Sequence, residues 1–255
     1  MPTADGTIGG VPVRHYEPGR PAEDGRPAGA GHVGGSTTVW VPPTIVYLHG
    51  GAFVLGDLET HDAQVRRLAA GTGASVVAVD YRRAPEHPWP AAVDDAQTVL
   101  DNLDGDVAVA GDSAGGLIAA LLAERRRTRL RAMLLVCPNT DLTGSWPGLS
   151  EEYVGLWVPD PADRAAASPL ATDVAGLAGM PPSLIATAGH DPLRDEGRAY
   201  AERLRMAGAP VVHVEEAAMP HNFPTLRHQS AAAAAAEDRF IAQARAILSG
   251  ADRRS

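Results

Sequence analysis

Three short runs in this 255-residue chain, Ile45–Leu48, Val76–Val79 and Val107–Ala110, are apolar at every position. A strand that alternates apolar and polar residues has one wet face, whereas a strand apolar throughout has to be covered on both. Between these runs lie stretches with helical spacing. Asp62–Ala70 places Val65, Leu68 and Ala69 together. Pro90–Leu103 carries Val93, Ala96, Val99, Leu100 and Leu103 at the i, i+3, i+4, i+7 spacing. A helix is expected from Ala114 to about Arg127, then strands at Ala132–Cys137, Ser183–Ala188 and Val211–Glu215. Helices are expected at Asp195–Ala207, ended by Gly208, and at Ala231–Leu248, whose alanine run favours helix. The alternation predicts an α/β fold: a mostly parallel sheet with helices on both faces.

The N-terminal segment, residues 1–43, holds 9 Gly and 7 Pro, which excludes long helices there. One extended piece is expected over Thr7–Glu17 and a loop over Pro18–Gly35. The net charge of -9 argues against a nucleic-acid or anionic-membrane partner. No apolar run approaches the roughly 20 residues of a membrane span. The single cysteine, Cys137, allows neither an internal disulfide nor a cysteine-based zinc cluster. Met1–Gly10 lacks the basic and apolar regions of a signal peptide, so the expectation is a soluble cytoplasmic chain.

Gly111-Asp112-Ser113-Ala114-Gly115 matches G-x-S-x-G between a buried strand and a helix, the setting of a nucleophile elbow. Ser113 is the candidate nucleophile. His49-Gly50-Gly51-Ala52-Phe53 follows the first apolar strand. An oxyanion needs preorganised N–H donors, and those of Gly51, Ala52 and Ala114 are the candidates. A serine hydroxyl also needs a base, which a carboxylate orients. In parallel sheets, sites gather at the carboxyl ends of strands. Two histidines follow such strands, His190 beside Asp191 and His221 in Met219–Phe223, whereas His213 lies inside a strand. The order Ser113, Asp191, His221 fits serine, acid, histidine. Asp195 and Glu196 are rival acids, although acidic residues also suit a first helical turn.

These residues resemble the hormone-sensitive-lipase-like branch of α/β-hydrolase esterases. The likeness is carried by His49–Phe53, Asp80–Ala92, Gly111–Gly116 and Asp191–Gly197, in that order along the chain. It implies a single α/β-hydrolase domain over residues 1–255 with an eight-stranded sheet, and hydrolysis of small-molecule carboxylic esters with neither metal nor organic cofactor. It also supports Ser113, Asp191 and His221 as the triad and makes a homodimer plausible. His49 and the proline-rich Asp80–Ala92 stretch read as braces for the site. Acyl transfer, lactone opening, amide cleavage or elimination would suit the same scaffold, and a catalytically silent receptor is a further alternative.

Ala52 replaces a glycine common in the oxyanion motif, Asn222 stands where glycine often follows the histidine, and Arg83 stands where leucine is usual. The N-terminal segment offers no cap helices, so residues 141–169 are the expected reduced cap. Trp146, Tyr153, Leu156 and Trp157 there, with Phe53, Val54, Asn222 and Phe223, are the candidate pocket lining. A reduced cap implies an open site.

Overall fold

Each apolar run lies in a central strand of one eight-stranded sheet. The computed structural model describes residues 1–18, 42–144 and 150–250. Its strands are β1 (Thr3–Ile8), β2 (Val11–Tyr16), β3 (Thr44–Leu48), β4 (Val76–Val79), β5 (Val107–Asp112), β6 (Leu130–Val136), β7 (Ser183–His190) and β8 (Val211–Pro220). Their spatial order is β1-β2-β4-β3-β5-β6-β7-β8. The pairs β1/β2 and β2/β4 are antiparallel, and the rest are parallel. The helices are α1 (Leu58–Thr72), α2 (Ala91–Asp101), α3 (Ala114–Arg126), α4 (Glu151–Trp157), α5 (Arg194–Met206) and α6 (Ala231–Ser249).

Alternation along the strands divides the core into two layers. Val46, Leu48, Val77, Val79, Val107 and Val109 pack with α2, α3 and α5 on one face. Ile45, Tyr47, Val76, Ala78, Ala108 and Ala110 pack with α1 and α6 on the other. Each fully buried valine, leucine or isoleucine contributes about 1.5–3 kcal/mol, so continuous apolar strands of this kind hold helices on both faces. α3 is buried nearly all round, as befits the helix behind the central strands.

Three expectations need correction. The extended piece over Thr7–Glu17 is a hairpin that begins earlier, with β1 and β2 joined at Gly9-Gly10, both at positive φ. Two successive positive-φ residues suit a tight hairpin turn. β1 is an exposed edge strand and lacks the apolar alternation that marks a buried one. The segment between β6 and β7, whose prolines and tryptophans suggest an irregular chain, contains α4 and 3-10 turns at Pro161–Asp163 and Pro169–Ala171. β8 runs on to Pro220, past the expected Glu215. The expected loop beyond Pro18 lies outside the described residues.

Candidate active site

β5 ends at Asp112 and α3 begins at Ala114, leaving Ser113 on the turn between them with φ 53° and ψ -121°. A positive φ in a sparsely populated region at a residue with a Cβ costs of order 1–3 kcal/mol and has to be held by its surroundings. The Ser113 N–H donates to the Val136 carbonyl at 3.0 Å, and the Ser113 carbonyl accepts from Asn139 N–H at 3.1 Å. Close packing does the rest. A Cβ on Gly115 would collide with the carbonyl oxygens of Leu48 and His49, and one on Gly111 would collide with that of Gly115. Glycine at both positions lets α3 start flush against the sheet.

His221 follows β8 and Asp191 follows β7. The Ser113 Oγ lies 3.0 Å from His221 Nε2, and His221 Nδ1 lies 2.9 Å from Asp191 Oδ2. Asp191 also accepts the Leu193 N–H at 2.8 Å, which fixes its carboxylate. Its side chain is fully buried, while that of His221 is 35% exposed. Asn222 adopts the left-handed conformation (φ 55°, ψ 40°), so the residue replacing glycine keeps a glycine-like backbone. His190 is exposed at the end of β7, and His213 contacts Thr187 Oγ1 at 2.9 Å within the sheet.

Of the rival acids, Asp195 pairs with Arg194 and Arg198. Glu196 is buried and accepts from Asn139 Nδ2 at 2.7 Å and Thr140 N–H at 2.6 Å, clamping the loop after β6. Burial pushes its carboxyl up to about 7, against the opposing effect of these hydrogen bonds.

Ala52 and Phe53 both have positive φ, 51° and 68°. The turn they form is closed by Leu55 N–H donating to the Gly51 carbonyl at 2.8 Å. Among the described residues, no protein group accepts the N–H of Gly51 or Ala52. The Ala114 N–H, first in α3, has no intrahelical acceptor. A Cβ built on Gly50 would lie 3.2 Å from Ser113 Cβ, so the turn abuts the elbow.

The proline-rich stretch holds this turn from outside. Tyr81 Oη donates to the His49 carbonyl at 2.6 Å and Ala84 N–H to the Phe53 carbonyl at 3.0 Å. Arg83, the unusual residue of the motif, donates to the Gly56 carbonyl at 2.8 Å and to Asp80 at 2.9 Å. Arg82 anchors the stretch to the buried Asp95 of α2. The His49 ring stacks on Tyr81 at 4.3 Å, and burial lowers its pKa to about 4.

Part of the expected pocket lining is core instead. Phe53, Trp157 and Phe223 are each 0% exposed. Phe53 stacks on Trp157 with ring centres 3.8 Å apart, and Trp89 meets Trp157 edge-on at 5.4 Å. Large apolar rings gain most where water is excluded from both faces. Val54 and Tyr153 are partly exposed, Leu156 is 36% exposed, and Trp146 lies outside the described residues.

Sequence reading passed over two groups. Asp112, between Gly111 and Ser113, is wholly buried and accepts from Tyr47 Oη, Gly50 N–H and His61. A charge closing an otherwise apolar strand was the available signal. Cys137 is the other: its Sγ, an Asp191 oxygen and a His221 nitrogen lie within 4.8 Å of one another. These atom types could ligate a metal, yet Asp191 and His221 already bond each other and burial pushes the thiol up.

A family model described as alpha/beta hydrolase fold matches residues 45–225. The chain belongs to this α/β-hydrolase family. Esterase LipI of Mycobacterium tuberculosis is 38% identical over 253 residues, covering 85% of this chain and 79% of the relative. Carboxylesterase NlhH of the same species is 40% identical over 236 residues, covering 81% and 74%. The solved structure of a hyperthermophilic esterase from Pyrobaculum calidifontis has a TM-score of 0.81 and 36% identity, covering 98% of this chain and 86% of that one. Within this α/β-hydrolase, the elbow, the turn after β3 and the loops after β7 and β8 meet at the carboxyl ends of the parallel strands, the edge where such sheets place ligands. Among the described residues, no helix is long and apolar enough to cross a membrane.

Proposed function

We propose that this α/β-hydrolase cleaves small-molecule carboxylic esters through an acyl-enzyme on Ser113. The observation carrying the reading is the unbroken hydrogen-bonded line from Asp191 through His221 to Ser113, with contacts of 2.9 and 3.0 Å. The similarity to proteins named esterase and carboxylesterase supports it.

In this reading His221 Nε2 takes the Ser113 proton as Oγ attacks the ester carbonyl. Asp191 holds Nδ1–H and steadies the imidazolium that forms. The N–H groups of Gly51, Ala52 and Ala114 receive the negative oxygen, and such a donor is worth about 10²–10³ in kcat. His221 then returns its proton to the departing alcohol. Water, deprotonated by the same ring, attacks the acyl carbonyl and frees Ser113. Residues 141–169 act as a reduced cap, with Val54, Tyr153, Leu156 and Asn222 as the remaining candidates for substrate contact. The homodimer also belongs to this proposal, and light scattering coupled to size-exclusion chromatography tests it separately.

A series of p-nitrophenyl esters of increasing acyl length, assayed with the wild type and Ser113→Ala, tests the function. The wild type is expected to turn over part of the series, and the folded variant none of it. Equal turnover by both proteins would overturn the assignment.

A further inference from the structure

Asp112 lies directly before the nucleophile candidate, and its carboxylate also holds the oxyanion turn. Oδ1 accepts the Gly50 N–H at 3.2 Å and the Tyr47 hydroxyl at 2.5 Å. Tyr47 Oη itself accepts from Gln64 Nε2 at 2.9 Å, so its one proton is free to point at Asp112. Oδ2 faces His61 Nε2 at 3.3 Å. A single buried carboxylate therefore ties α1, β3 and the turn after β3 to the elbow.

The protons around His61 can be counted. Thr60 Oγ1 accepts the Asp57 N–H at 2.9 Å and donates its only proton to the Asp57 carbonyl at 2.9 Å. The same oxygen lies 3.0 Å from His61 Nδ1. With that proton on the Asp57 carbonyl, Thr60 meets the ring as an acceptor and Nδ1 carries a hydrogen; turned to Nδ1 instead, the same proton would leave a neutral ring with its hydrogen on Nε2. An ionised Asp112 also only accepts, so Nε2 needs a hydrogen as well. The neutral tautomer that satisfies Thr60 would instead turn a bare nitrogen lone pair toward a buried carboxylate.

We propose that His61 is an imidazolium paired with Asp112, and that this buried pair is the positioning device fixing the oxyanion turn against Ser113. The proposal rests on the roles assigned to Ser113 and the turn above. It concerns residues on α1 and in the elbow that do not touch the reacting atoms.

The surrounding charges agree. Burial by itself pulls the His61 pKa down. The Asp112 charge and hydrogen bond, together with Asp57, outweigh it and hold the ring above its ordinary value. Burial raises Asp112, but His61, Tyr47 and His49 bring it below the usual carboxylate range. The other groups facing the pair are His49, 5.5 Å away ring to ring, and Tyr47 at 6.4 Å. Tyr81 and Arg83 face His49 from behind, and Glu237 of α6 faces Tyr47. Loss of the His61 proton at high pH leaves the Asp112 charge uncompensated beside Gly50. The turn then loosens where the oxyanion forms.

Nitrogen-15 NMR of the His61 ring in the intact protein, assigned with His61→Gln, reads the claim without turnover. Both ring nitrogens are expected to carry protons at pH 7 and to remain protonated above the ordinary histidine range. One bare nitrogen at pH 7 would overturn the proposal. Kinetics supply the second readout. His61→Gln is expected to lower kcat about 10- to 100-fold, the penalty for small misplacement of a reacting group, with KM within about twofold. The wild type is expected to show an alkaline fall in kcat that the variant lacks. A variant with wild-type kcat, or one with an unchanged alkaline limb, contradicts the positioning role. If His61→Gln fails to fold, His61→Asn and the wild-type NMR result decide. Turnover by Ser113→Ala would instead sink the nucleophile assignment, and the ring-nitrogen result would stand apart from that failure.

Discussion

The hydroxyl of Tyr81 donates to the carbonyl of His49 at 2.6 Å while its ring stacks on the His49 imidazole at 4.3 Å. One side chain thereby grips, in two ways, the residue that opens the turn after β3. Tyr81→Phe keeps the stack and strands a buried carbonyl, so it should cost about 1–3 kcal/mol of stability. Urea unfolding checks that loss, and steady-state kinetics should show a fall in kcat larger than the change in KM.

Glycine substitutions separate tight packing from open space. Gly115→Ala drives a Cβ into the Leu48 and His49 carbonyls, both backbone atoms of a central strand end. That variant should lose activity and at least about 3 kcal/mol, in the upper range for single substitutions. Gly155 lies inside α4 with nothing within 4 Å of an added Cβ. Gly155→Ala should stabilise the protein by up to about 1 kcal/mol through helix propensity. Thermal unfolding of the two variants gives opposite signs if the packing is as described.

The pairing of Phe53 with Trp157 joins α4 to the turn after β3. Trp157→Ala should cost about 3–5 kcal/mol, the usual range for a buried aromatic. It should also depress kcat, because Phe53 belongs to the turn. Trp157→Phe should recover most of both losses in the same assays.

Burial raises the Glu196 carboxyl to about 7, well above its ordinary value of 4.5. A carboxyl whose folded pKa is raised contributes stability that is present below the unfolded value and lost as pH climbs through the folded one. Stability should therefore fall between about pH 4.5 and 7, by about 3 kcal/mol from this group at 1.36 kcal/mol per unit. Glu196→Gln, which retains the acceptor facing Asn139 and Thr140, should flatten the fall. Urea midpoints measured across that window test it, and an unchanged slope would count against the raised carboxyl.

The sequence made the scaffold legible where one residue type had one physical reason to be present. Ile45–Leu48 and Val76–Val79 are buried on both faces, so their lack of alternation predicts covered parallel strands. Ser113, Asp191 and His221 were legible because strand ends collect sites and two glycines permit the elbow. β1 was hidden because an exposed edge strand has no apolar signature. Phe53 and Trp157 were misread as pocket lining because their partnership spans the fold, and no local spacing shows that two rings face each other. Asp112 and His61 escaped for the same reason: each looks ordinary alone, and only the fold brings them within 3.3 Å of each other.

The most direct measurement is stoichiometric labelling with an organophosphate ester, followed by intact mass and peptide mapping. One adduct per chain is expected on Ser113, with loss of ester hydrolysis in proportion to labelling and no adduct in Ser113→Ala. An adduct on another residue, or full hydrolytic activity in the completely labelled protein, would contradict the assignment of Ser113 as nucleophile.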